Sequence, residues 1–594
     1  MGGHGNRLHG HVGRALAAAL GIVAACGARA QVAADTAAGL SLGTSVVRTG
    51  QTYSIAAGRQ VGQNLFHSFR TFNLPGGETA SFSGPAGIDN VIGRVTGGAS
   101  SIDGTIQSTI AGASLWLINP SGIAFGPNAR LDVQGSFHAS TASYLKFGAN
   151  GQFGMAGEPA ATLTVNPTAF GFLGTPAAIA LERSELKVPL GATLSLVGGD
   201  VTGVGSAASR LRLEAPGGRI NLASVASPGE VTLGGAGIGV VPAPAPGSIA
   251  LANAQLVTED PSGTQAPGPI FIRSGRLTLE QSQIGTRHFL PGAGGDVAVA
   301  LDGDFAMNGG FIRTASVGTG DAGSFTLRAA NVTLSAGAAV VTSSFTLIGG
   351  AAAGGRAGRI TVEAAGDVVL SGAGTGLFST TGFNTSPAGE TRVTARNLTV
   401  RDGAIVKTST GGDGDAGRLT IAVNGLTISG GGQISADTEF NLSGTPGSGR
   451  GGDLSVSAAG TVDVDGTGSG IFSRTASLGR GGTVSVAAAD IRVHDGGRIS
   501  SESHDPAGLL GNLLGDAGSV NLSATRSIVL ENDGAITTQA LSAGGGIINL
   551  RAGDTLALSR SRITTSVGDG TGNGGDINID PVFVVLNNSQ ILAQ

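Results

Sequence analysis

Nucleophilic and metal chemistry need cysteine, histidine and clustered acids, and this chain is poor in all three. Its single cysteine, Cys26, falls within the first thirty residues. Beyond them the histidines are His67, His138, His288, His494 and His504, scattered rather than paired. A histidine so placed is more often a surface or hydrogen-bonded group than a ligand. Asp413 and Asp415 sit in GGDGDAGRL, which lacks the spacing of a calcium-binding nonapeptide repeat. The only lysines are Lys146, Lys187 and Lys407, and none follows a phosphate-cradling glycine loop. The sequence therefore predicts no catalytic residue, no metal ligand and no cofactor.

The elements that fill the chain must come from an unusual composition. Glycine supplies 105 of 594 residues, charged residues 13% and aromatics 4%. Glycine inside a helix costs about 1 kcal/mol against alanine, so long helices are excluded. Collagen needs glycine at every third position, which is absent here. Disorder needs few apolar residues, yet hydrophobics reach 40% and recur periodically. The formal charge is −5, and it becomes −8 without the first thirty residues, which hold Arg7, Arg14 and Arg29 and no acid. An acidic, lysine-poor chain is not a nucleic-acid binder.

Residues 1–30 read as a signal peptide. Basic residues precede the apolar run 15–26, and Ala28-Arg29-Ala30 is a small-x-small cleavage site before Gln31. Val23-Ala24-Ala25-Cys26 also resembles a lipobox, the alternative in which Cys26 is lipidated. Cleavage between Ala30 and Gln31 leaves a mature chain without cysteine. Backbone pairing and core stacking must then hold it together.

A repeat runs from residue 294 onward. It can be anchored on Gly295, Gly323, Gly358, Gly389, Gly417, Gly452, Gly482, Gly518, Gly546 and Gly575, spaced 28 to 36 residues apart. Each copy holds three short runs of alternating apolar residues, the strand signal, with Gly, Asn and Asp between them. The expected fold is all-β: a right-handed parallel β-helix, a pectin-lyase-like solenoid with three short strands per coil. The third run often ends in hydroxyls: Thr314 and Ser316, Thr408 and Thr410, Thr475 and Ser477, Thr564 and Ser566. Stacked coils would align these into ladders, whose simplest reading is β-propensity plus solubility. Longer intervals add Gly-rich insertions near 343–356, 437–450 and 501–515, where loops would protrude. The chain stops in a repeat-like strand, Ser589–Leu592, without a polar cap. A truncated product or an exposed last coil is expected from that.

Residues 31–175 have another texture, with Phe66, Phe69, Phe72, Phe82, Phe125, Phe137, Phe147 and the sole Trp116. Asn119-Pro120-Ser121-Gly122 interrupts two strand signals as a tight turn. The strings NLFHSF, VIGRVTGG, INPSGIAFGPNARLDVQGSF and HASTAS resemble the secretion domain of filamentous-haemagglutinin-like exoproteins, the exported partners of two-partner secretion systems. That family's turn is usually NPNG, and here Ser121 replaces the second Asn. An earlier Asn-Pro turn is weakened to Gly84-Pro85-Ala86-Gly87. The expected division is a signal peptide at 1–30, a two-partner-secretion (haemagglutination activity) domain at 31–175, irregular β-helix coils with Pro-rich loops at 176–290, and a β-helix of about ten repeats at 291–594.

The resemblance implies a Gram-negative exoprotein that reaches the periplasm by its signal peptide. An outer-membrane β-barrel transporter with POTRA domains then recognises the N-terminal domain, with Asn119, Pro120, Ser121 and Gly122 as the recognition turn. Residues 300–594 lack Trp and Tyr, so an aromatic-girdled barrel of the chain's own is not expected. A surface adhesin is the leading function, with an unidentified host or surface receptor, a carbohydrate among the candidates. The rival is a β-helical protein that binds or degrades polysaccharide. Degradation needs clustered acids, or Arg and Lys with bound calcium. Of the strings NTD, DD, GHG and RIK typical of such hydrolases only Gly3-His4-Gly5 occurs, inside the signal peptide. The chain is therefore expected not to be an enzyme.

Overall fold

The computed structural model describes residues 31–594 apart from 236, 242–244, 347–353, 384, 440–446, 504–513, 542 and 569–572. The signal peptide, Cys26, Ala30, His504 and most of the three Gly-rich insertions lie outside the described residues. No helix occurs among the described residues, which form short β-strands throughout. The chain divides into two units, 1–285 with 298–304, and 286–297 with 305–594. Both are built from right-handed parallel β-helix coils.

One coil of the second unit shows why the sequence folds this way. Leu419–Val423, Gly425–Ser429 and Gln433–Thr438 are its three strands. Leu419, Ile421, Leu426, Ile428 and Ile434 point inward and are fully buried. In the next coil Leu454, Val462 and Ile471 lie directly over Leu419, Leu426 and Ile434 in parallel register. Each coil thus adds one layer about 4.8 Å thick to a common aliphatic column. The corner after the second strand needs left-handed backbone, supplied by Gly430 (φ 58°) and Gly431 (φ 78°) here and by Asp495 (φ 53°) and Gly496 (φ 86°) two coils on.

The anchor glycines owe their recurrence to a close approach. From Gly323 to Gly575, a methyl group on any of them would fall closer than 3.0 Å to the carbonyl oxygen of the anchor one coil earlier. Only hydrogen fits between the coils at this column.

The hydroxyl ladders are not solubility devices, which corrects the sequence reading. Thr314, Ser316, Thr408, Thr410, Thr475 and Ser477 are buried within the solenoid. At the last pair Thr565 is the buried hydroxyl, whereas Thr564 and Ser566 are only partly covered. Several hydroxyls of this strand serve the glycine column, whereas Thr314 Oγ1 and Ser316 Oγ are buried without a hydrogen-bond partner. Thr342 Oγ1 donates to the Gly358 carbonyl (2.7 Å), Thr408 Oγ1 to Gly417 (2.7 Å), Ser501 Oγ to Gly482 (2.8 Å) and Thr565 Oγ1 to Gly546 (3.0 Å). A buried carbonyl without a donor costs about 1–3 kcal/mol, so these four corners gain from a hydroxyl on the third strand.

The first unit opens with antiparallel strands. Val32–Ala34 and Arg59–Val61 both pair antiparallel with Asn64–Phe72, and Thr44–Thr49 forms a hairpin with Thr52–Ala57. Parallel coils follow, through Asn90–Val95, Ser114–Ile118, Phe137–Ser140, Thr193–Gly198, Arg219–Ser224 and Ile270–Ser274. A five-stranded antiparallel sheet covers this face from outside, formed by Tyr144–Phe147, Gly151–Gly154, Pro167–Phe172, Gly229–Gly234 and Gly237–Val241. Between sheet and coils lies a second core containing Phe66, Ile92, Trp116, Leu145, Phe147, Phe153 and Phe170. This accounts for Phe66, Trp116 and Phe147 of the aromatic-rich block; Phe69, Phe72 and Phe82 pack against one another elsewhere, as do Phe125 and Phe137. Its strands must be apolar on both sides, and Asn90–Val95 is buried at all six positions.

Candidate functional site

The Asn119 turn sits at the end of strand Ser114–Ile118. The Gly122 amide donates to the Asn119 carbonyl (3.1 Å), closing a four-residue turn. Ser121 keeps negative φ while Gly122 has φ 115°, so this is a type I turn with Asn first, Pro second and Gly last. In such a turn the third position does not need the left-handed tolerance of Asn, and Ser121 replaces it without strain.

Asn119 is fully buried and makes the turn's long-range contacts. Its Nδ2 donates to the Gly98 carbonyl (3.1 Å) and to Ser100 Oγ (2.9 Å), and its Oδ1 accepts from the Ser121 amide (2.9 Å). Ser121 Oγ donates to the Gly97 carbonyl (2.9 Å). The turn is thereby tied to Gly97, Gly98 and Ser100 of the coil before, where the VIGRVTGG string ends. Only Ser121 is exposed; Pro120 is half-buried and Gly122 is covered.

Arg94, in the same string, was not singled out by sequence reasoning. It lies fully buried beneath the five-stranded sheet. Nε donates to Ser68 Oγ (3.0 Å), Nη1 to the Gly154 carbonyl (2.8 Å) and Nη2 to the Leu40 carbonyl (2.9 Å). Its guanidinium also lies 5.0 Å from the centre of the Phe153 ring. Burial lowers its pKa, and the field of Asp35 opposes that shift. One side chain thus clamps the N-terminal segment, the first coil and the covering sheet together.

A row of amides continues the pattern. Asn90 Nδ2 donates to Asn64 Oδ1 and Asn166 Oδ1 (both 2.8 Å), and its Oδ1 accepts from Trp116 Nε1 (2.9 Å). Trp116 stacks on the His138 ring at 3.8 Å, and His138 Nδ1 lies 2.9 Å from Ser195 Oγ.

Histidines behave in two ways. Burial pushes the His67 pKa down to about 4. Burial, with the Arg219 charge adding to it, pushes that of His138 down to about 3. His67 is packed against Phe69 and Phe82 with neither ring nitrogen hydrogen-bonded, so it is neither a surface nor a satisfied group. Both stay neutral when folded but take up protons near pH 6.5 when unfolded. The unfolded chain therefore binds more protons as pH falls below 6.5, and stability declines until the folded pKa values are passed. For His67 the loss approaches about 3 kcal/mol by pH 4. Urea midpoints of the full chain, followed by Trp116 fluorescence, should fall between pH 7 and 4. His67→Leu should flatten that fall by about one proton; an unchanged slope would refute the assignment.

His494 is the opposite case. Burial disfavours its charge, but Asp495 and Asp463 outweigh burial and raise the pKa. Asp465, His494 and Asp495 present ligand-type atoms within 4.8 Å of one another, the group among the described residues that could hold a metal ion. With Nδ1 2.8 Å from Asp495 and Nε2 3.1 Å from Asp463, both ring nitrogens face carboxylates. That is the setting of a charged imidazolium rather than a neutral metal ligand.

With this geometry in place, comparison with known proteins is decisive for the N-terminal part. Residues 30–266 match the family model of the TPS secretion domain. The chain carries a two-partner-secretion domain. The match takes in the Asn119 turn, Arg94 and all five strands of the covering sheet. The secretion domain of HMW1 from Haemophilus influenzae, a solved structure, is similar at 16% identity and a TM-score of 0.39, over 79% of this chain and 97% of that one. No curated protein matches the chain. A TPS secretion domain makes the protein an exported exoprotein of the two-partner type, secreted or displayed at the surface. It also implies an outer-membrane transporter as partner.

Proposed function

We propose that the protein is an adhesin-like exoprotein whose N-terminal domain is recognised in the periplasm by the POTRA domains of its transporter. The observation that carries this reading is the secretion-domain match over residues 30–266, followed by stacked β-helix coils up to Gln594. Nearest-neighbour stacking lets each emerging coil template on the last, which suits folding outside the cell. Solenoid coils also present long repetitive faces, the geometry of a contact surface rather than of a closed active site.

Within the domain, Asn119, Pro120, Ser121 and Gly122 form the recognition turn. The buried Asn119 amide shapes the turn, and Ser121 is its exposed tip. Asn119→Ala removes three hydrogen bonds and leaves the Gly98 carbonyl short of a donor, at a cost of about 2 kcal/mol. We expect secretion to drop several-fold with signal cleavage between Ala30 and Gln31 unaffected. Immunoblots of medium and periplasm would show this, and unchanged secretion would remove the turn from recognition.

A further inference from the structure

The outward face of the first strand in each coil changes character along the second unit. Its early coils carry charge here, with Arg328 paired to Glu363 across adjacent coils at 2.8 Å and Arg392 in the next. From Thr420 to Asn521 the face carries no charge, and charge returns only as Arg551 and Asp580 in the last two coils. Ser455, Ser485, Asn521, Asn549 and Asn578 then stand in one register column over five coils. Beside them run Ser457, Ala487 and Ser523, ending in Arg551 and Asp580. Because these side chains are small, the sheet face is hollowed into a groove of about 770 Å³. That is within the size range of ligand sites.

The amides are arrayed in a chain. Asn578 Nδ2 donates to Asn549 Oδ1 (2.9 Å), and Asn549 Nδ2 donates to Asn521 Oδ1 (2.7 Å). A primary amide has two donor hydrogens and two acceptor lone pairs. At Asn549 the ladder uses one of each, leaving one donor and one acceptor, while Asn521 uses only an acceptor and Asn578 only a donor. This pairing matches adjacent hydroxyls on a sugar ring. The groove lacks the basic row that a sulfated polymer or nucleic acid needs. Apart from Ala487 its outward side chains are polar or charged, unsuited to a lipid or an apolar helix face. The one Arg and one Asp lie together at the same end and offset each other.

We propose that this groove binds an extended, uncharged oligosaccharide laid across the coils. The proposal supplies the ligand class for the adhesin reading and rests on it only for its setting at the cell surface. The test is calorimetry on purified full-length protein with hexamers of glucose, mannose, galactose and N-acetylglucosamine, and with a sulfated hexasaccharide for comparison. At least one neutral hexamer should bind. Ser457→Arg, at an exposed position, should weaken it ten-fold or more without changing the melting temperature. Asn549→Asp, which removes the amide donors and adds charge, should weaken binding likewise. Binding of the sulfated probe alone, binding undiminished in both variants, or no neutral hexamer bound would each overturn the proposal. Attachment of cells is scored separately: intact glycan binding without attachment counts against the adhesin reading alone.

Discussion

Gly546→Ala is expected to destabilise the second unit by about 3 kcal/mol or more, the upper range for overpacking. The added methyl would meet the Gly518 carbonyl oxygen and the Thr538 side chain, with the carbonyl far inside contact distance. Neither can retreat easily. The carbonyl belongs to backbone paired on both sides, and Thr538 Oγ1 is itself bonded to the Gly546 carbonyl (3.1 Å). Opening the corner would break hydrogen bonds of two coils. Gly431→Ala provides the comparison, since nothing lies within 4 Å of its missing Cβ and its φ is +78°. It should cost only the left-handed backbone penalty of about 1–2 kcal/mol. Urea denaturation followed by far-ultraviolet circular dichroism would separate the two. Equal losses would mean that the glycine column reflects backbone conformation rather than close approach.

Arg94→Met should rank beside it, at about 3 kcal/mol or more, and in the first unit. Methionine fills much of the volume but donates nothing, so the Gly154 and Leu40 carbonyls and Ser68 Oγ each lose a partner. The buried Asp35 would also lose the nearby cation. Arg94→Lys should recover little, because one ammonium cannot span three acceptors in a fixed plane. Trp116, the sole tryptophan, lies in the same second core and reports the transition. A midpoint for Arg94→Met within experimental error of the wild type would show that the clamp contributes nothing to stability.

The two units differ in how openly the sequence announces them. Solenoid coils are local devices. Alternation in Leu419–Val423, left-handed corners and recurrent glycines are visible within thirty residues, and the fold class follows from them. The hydroxyls misled because alternation marks two faces without saying which is inside. Only the stacked coil shows that Thr408 meets the Gly417 carbonyl. The covering sheet was hidden for another reason: Tyr144–Phe147 and Gly229–Gly234 lie more than eighty residues apart and both pair with Pro167–Phe172 between them. Without that sheet, Arg94 in an apolar run reads as an outward charge, whereas His67 is buried apart from the sheet, against Phe69 and Phe82. At the Asn119 turn the spacing of Asn, Pro and Gly revealed the turn, while its ties to Gly97, Gly98 and Ser100 belong to the neighbouring coil.

Transporter dependence is the most direct test of the central claim. The full-length chain would be expressed in a Gram-negative host with and without its cognate outer-membrane transporter, and the product in the medium sequenced from its N-terminus. The account predicts release only with the transporter, a product beginning at Gln31, and loss of release when residues 31–266 are deleted behind an intact signal peptide. Release without the transporter, or undiminished release of the deleted chain, would contradict it.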